Sequence, residues 1–127
     1  MIDVSTVADI SALRESYDIE CKLAQGRDGK DQLPKDVWET YSAFANTQGG
    51  DIFLGLKERK DQSFEVAGIE NTQKVLDELW TSLNNPSAVS GNVIRESWVK
   101  VIAIEGKNII HIHVPQAPRK QKPVYIK

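Results

Sequence analysis

The sequence is poor in the residues that build covalent or metal-held frameworks: its 127 residues include one cysteine, Cys21, and two histidines. A single cysteine excludes an internal disulfide and a cysteine-based zinc cluster within one chain. Long apolar runs are missing as well. None approaches the ~20 residues a membrane span needs, and the opening Met-Ile-Asp-Val-Ser lacks the basic and apolar regions of a signal peptide. The expectation is a cytoplasmic domain with no membrane partner. There is no Gly-x-x-x-x-Gly-Lys loop for nucleotide phosphates. Gly49-Gly50 follows a helical pattern instead of opening one, so it offers no helix N-terminus to an anion. No Ser, Cys and His arrangement has the local context of a nucleophilic site.

Negative charge is missing from one end. After Glu105 the chain has no acid and five basic residues, Lys107, Arg119, Lys120, Lys122 and Lys127, whereas residues 1–105 hold all 18 acids and 11 bases. A net charge of −2 by itself argues against nucleic acid as a partner. Phosphates respond to the local field, however, and this chain is polarised.

What is present fits one domain, 1–127, with 40% hydrophobic and 27% charged residues. The strongest local signal runs from Trp38 to Leu56. Val37, Tyr41, Phe44 and Ala45 recur at helical spacing, Gly49-Gly50 stops the helix, and Ile52, Leu54 and Leu56 begin a period of two. A helix therefore feeds a buried strand. Upstream, Ser5 or Thr6 caps a short helix lined by Val7, Ile10 and Leu13. Ile19, Cys21 and Leu23 then alternate with Asp18, Glu20 and Lys22, the pattern of a strand with one buried and one wet face. Residues 25–32 read as a loop and Pro34 as an early helical residue. Ser63 to Ala67 reads as a short strand, and Asn71 as the cap of a helix with Val75, Leu76, Leu79, Trp80 and Leu83 on one face. Residues 98–104 and 109–114 form two strands joined by Glu105-Gly-Lys-Asn108; a basic loop, 116–122, and a short edge strand, 123–126, follow. The order β-α-β-α-β-β implies a mixed, twisted α/β (α+β) sheet with helices covering one face.

Three groups of side chains offer chemistry. Glu15 and Glu20 flank the start of the first strand, and Asp51 and Glu58 the ends of the central one. Clustered carboxylates suit Mg²⁺ or Mn²⁺, which take oxygen ligands and neutralise a developing phosphate charge; scattered strand-end acids are the plainer reading. His111 and His113 share one face of a strand, where a metal ligand role competes with that of partly exposed strand histidines, and no third ligand is visible nearby. Lys22 and the loop Arg119, Lys120, Lys122 are candidates for phosphate contacts, with Tyr125 as a stacking surface.

Two stretches together carry a resemblance. Glu15-Ser-x-x-x-Glu20-x-Lys22, then Ala43-Phe-Ala-Asn-Thr-x-Gly-Gly50 and x-Ile-x-Leu-Gly55, resemble the Schlafen/Alba-like (AlbA_2) DNA-binding domain family, with Gly68-Ile69, His113-Val-Pro115 and Pro123-Val-Tyr125 adding to the likeness. The resemblance spans roughly residues 13–126. It implies an Alba-like fold and a nucleic-acid-binding role, with DNA ranked ahead of RNA as partner and the choice between them left open. It also implies a place as the N-terminal module of a longer bacterial or archaeal transcription-regulator-like protein, and a capacity to pair as a homodimer. In vertebrate relatives three acids form a metal-dependent RNA-cleaving site. Glu15 and Glu20 match two of these, and Glu58 stands near the third, where family members more often carry Asp. The leading expectation is a binding module without cofactor, using Lys22, Arg119, Lys120 and Lys122. The alternatives are a ribonuclease using Glu15, Glu20 and Glu58 with Mg or Mn, and a dimerisation or interaction module.

Overall fold

The computed structural model describes residues 4–25, 31–85, 92, 94, 96–119 and 122–124. Lys120, Tyr125 and Lys127 of the basic end lie outside the described residues, as does the second half of the expected edge strand; in its first half, Pro123 and Val124 are not in a strand.

The chain opens with helix α1 (Val7–Ser16), fixed by a capping box in which the Thr6 hydroxyl accepts from the Asp9 N–H and the Asp9 carboxylate accepts from the Thr6 N–H. Strand β1 (Ile19–Lys22) follows, then α2 (Val37–Ala45), β2 (Gly50–Leu54), β3 (Leu56–Glu58), β4 (Phe64–Val66), α3 (Thr72–Leu83), β5 (Val99–Ile104) and β6 (Lys107–Val114). Asn71 caps α3 by accepting from the Lys74 N–H. Four strands make one mixed sheet in the order β1-β2-β6-β5, with β1 parallel to β2 and the other pairs antiparallel. The β5–β6 turn has positive φ at both Glu105 and Gly106, as a two-residue hairpin of type I′ requires.

The expected continuous strand through Leu56 is instead two. Gly55, at φ +98°, breaks it, and β3 leaves the main sheet to pair with β4 in a separate two-stranded ribbon. The break is possible because glycine has no Cβ penalty in that region. Helices also cover both faces of the sheet, not one. Ile52 and Leu54 pack with Val37, Tyr41, Ala45, Val75 and Leu79 of α2 and α3, whereas Phe53, on the opposite face, packs with Ile10 and Leu13 of α1. The wet face expected of β1 persists at Glu20, which is exposed, but not at Lys22. Lys22 keeps only 12% of its side chain exposed and pairs with Asp36, Nζ to Oδ2 3.2 Å, while Leu23 lies exposed at the strand's end.

Candidate functional site

The three expected acids are divided between two recesses. Glu15 sits in the last turn of α1, not at the start of a strand, and borders a recess with Tyr17, Asp18 and Asp51. Glu20, on β1, and Glu58, at the end of β3, border another with Cys21 and Lys57. Glu58 is engaged: Arg14 donates from Nη1 to its Oε1 at 2.8 Å, and to the Gln62 carbonyl at 3.1 Å, with the guanidinium 4.8 Å above the Phe64 ring. Among the described residues no set of three His, Cys, Asp or Glu side chains is arranged to hold a metal ion.

The cluster that the sequence did not reveal lies on the α1 face of the sheet. Antiparallel pairing sets Asp51 opposite His113 and Phe53 opposite His111. Asp51 Oδ1 lies 2.8 Å from His111 Nε2 and 3.2 Å from His113 Nδ1. A carboxylate only accepts, so the nitrogen facing Asp51 carries the proton in each neutral ring. Burial is graded: side-chain exposure is 7% for Asp51, 1% for His111 and 32% for His113. His111 is thus fully buried, not partly exposed, and stacks on Phe53 with ring centroids 4.3 Å apart; Trp98 meets the His113 ring edge-on. The signal for this cluster was Asp51 itself, the one charge inside Gly-Asp-Ile-Phe-Leu-Gly-Leu. A buried carboxylate demands partners, but which ones depends on pairing across 60 residues.

The basic loop is held at both ends. The Ala117 N–H donates to the Ala45 carbonyl at 2.7 Å, and Val124 is clamped by Asn46, which accepts from its N–H at 2.6 Å and donates to its carbonyl at 2.7 Å. The Ser42 hydroxyl adds a bond to the same carbonyl at 2.6 Å. Ala117 and Val124 are buried in the core beside α2. Between these anchors lie Arg119, which is exposed, and Lys122, which is half-buried, in a strap of which residues 118, 119, 122 and 123 are described.

The family profile described as Schlafen, AlbA_2 matches residues 15–127. The chain belongs to the Schlafen AlbA_2 family. Among solved structures this AlbA_2 domain is similar to the N-terminal domain of a protein from Nitrosomonas europaea named as related to the ATP-dependent DNA helicase RecG. The two share 26% identity with a TM-score of 0.71, over 95% of this chain and 77% of that one. It also shares its fold with the DIP2311 protein from Corynebacterium diphtheriae, at 17% identity and a TM-score of 0.56, covering 93% of this chain and 23% of that one. No curated protein matches the chain. Among the described residues no helix is long and apolar enough to cross a membrane.

The structure gives the family-like stretch Ala43 to Gly50 a structural role. Ala45 is buried, Asn46 holds the strap, Gly49 turns the chain at φ +82°, and a Cβ on Gly50 would lie 2.7 Å from the Phe44 ring. Cys21 is a half-buried free thiol expected to be a poor nucleophile. Burial pushes its thiol up to about 12, with Glu58 and then Glu20 adding to the effect and Arg14 opposing it. At pH 8 the thiolate is scarce, so Ellman's reagent is expected to label the native protein roughly a thousandfold more slowly than a free cysteine, and the denatured protein at the ordinary rate. Native labelling at the ordinary rate would contradict that burial.

Proposed function

We propose that this domain is a nucleic-acid-binding module whose affinity comes from phosphate contacts to the basic strap. The observation that carries this reading is that the chain is anchored to the end of α2 on both sides of Arg119 and Lys122, through Ala117 before them and Val124 after them. A strap whose ends are buried spends less conformational entropy on binding than a free tail would. Arg119 and Lys122 supply the charge, in a stretch of the chain without acids. Family membership supports the reading, as does the likeness to a domain of a protein named after a DNA helicase. Lys22, tied to Asp36 and largely covered, contributes through the fold. A larger transcription-regulator-like protein is the proposed setting.

Binding is favoured over metal-dependent cleavage by the Arg14 contact on Glu58, which leaves that carboxylate already paired with a cation. Binding to a fluorescent oligonucleotide, measured across a salt series, tests the proposal. Log affinity is expected to fall linearly with log salt, by roughly 0.7–0.9 for each phosphate neutralised. A curve flat between about 50 and 200 mM salt would overturn it.

A further inference from the structure

Glu15, Tyr17, Asp18, Gln48, Asp51 and His113 line a cavity of about 300 Å³ between the end of α1 and the start of β2. Arg14 also borders it, but its Nη1 already serves Glu58 and the Gln62 carbonyl. The wall therefore offers carboxylates, an amide and an imidazole, which suit a neutral group rich in hydroxyls and disfavour a phosphate. Asp51 further refines what is offered. By accepting from His113 Nδ1 it selects the tautomer whose Nε2 carries the lone pair, so the more accessible histidine becomes an acceptor for a hydroxyl proton. Tyr17, 51% exposed at the rim, adds an aromatic surface on which a sugar or base can lie.

The cavity adjoins the segment that leads into the strap. Gly49, in its wall, turns against the backbone of Val114, Pro115 and Gln116, from which the strap departs. A strand with its phosphates on Arg119 and Lys122 would thus bring its sugars toward the acceptors. Carboxylates are good partners for ribose hydroxyls, and the 2′-hydroxyl is the group that tells RNA from DNA. We propose that this cavity is a ribose-hydroxyl subsite, with His113 Nε2 accepting from the 2′-hydroxyl and Asp51 as its positioning residue. The inference rests on the nucleic-acid reading and gives that reading a preference for RNA.

The same hydroxyls occur in an RNA strand and in a free nucleoside, and the test separates them. Anisotropy would be measured on the whole chain with single-stranded RNA, DNA and 2′-O-methyl RNA of one sequence at one salt concentration. RNA is expected to bind about tenfold more tightly than the other two, the worth of one well-made hydrogen bond. His113→Ala should bring the RNA-to-DNA ratio to about one, and His113→Gln, which keeps an acceptor, should retain part of it. Displacement of RNA by adenosine but not deoxyadenosine would extend the subsite to nucleosides; displacement by neither would confine it to ribose within a strand. A ratio near one in the wild type, a ratio that survives His113→Ala, or equal displacement by both nucleosides overturns the subsite. If RNA and DNA bind equally with a steep salt dependence, the subsite alone fails; if neither binds, the nucleic-acid reading fails with it.

Discussion

Gly49→Ala is expected to lower the stability of the domain by about 2–5 kcal/mol, enough to bring it close to unfolding. Two costs add. Gly49 has φ +82°, where an L residue with a Cβ pays about 1–2 kcal/mol. The new methyl would also lie 2.6 Å from the Val114 carbonyl oxygen and 3.1 Å from the Gln116 nitrogen. Both are backbone atoms at the root of the strap, so no side chain can rotate away, and overpacking of this kind costs about 1–3 kcal/mol. Gly106→Ala is the comparison. It has a similar φ, +76°, but nothing within 4 Å of its Cβ, so it should show the strain alone. Thermal melts of both variants check the difference. Equal losses would mean that the contact with Val114 contributes nothing.

Asn46→Ala is the second large effect, and it reaches function through the fold. Removing the carboxamide leaves the Val124 carbonyl with Ser42, but the Val124 N–H, in a fully buried residue, loses its acceptor. A buried donor left unpaired costs about 1–3 kcal/mol. The strap is then tied at Ala117 and no longer firmly at Val124, so amide exchange at Val124 should quicken. Oligonucleotide affinity should fall although no charge has been removed. Because Arg119 and Lys122 remain, the slope of log affinity against log salt should hardly change, which separates loss of preorganisation from loss of contacts. Unchanged affinity in a folded Asn46→Ala protein would show that the clamp does not serve binding.

These two residues also mark how far the sequence could be read. The helix–stop–strand passage from Val37 to Leu54 and the caps at Thr6 and Asn71 are local patterns that appear where spacing put them, and the β5–β6 hairpin appears with a tighter turn, β6 starting at Lys107 instead of 109. The AlbA_2 signature was legible for the same reason. What spacing cannot carry is which strands meet and in what register. The contact of Asp51 with His111 and His113 depends on β2 pairing antiparallel to β6. The pairing of Lys22 depends on Asp36 coming back to β1, and that of Glu58 on Arg14 reaching it from α1. A one-residue change of register would reverse the faces on which these side chains lie, and no local periodicity records that choice.

The account's central claim is that the anchored strap supplies the phosphate contacts. The most direct test compares the wild type with the Arg119→Ala, Lys122→Ala double variant across a salt series with one oligonucleotide. Both side chains lie between the anchors, and neither belongs to the core. The double variant should keep the wild-type melting temperature, bind more weakly at low salt, and show a slope of log affinity against log salt smaller by roughly two. A slope equal to the wild type's would place the phosphate contacts elsewhere on the domain and contradict the claim.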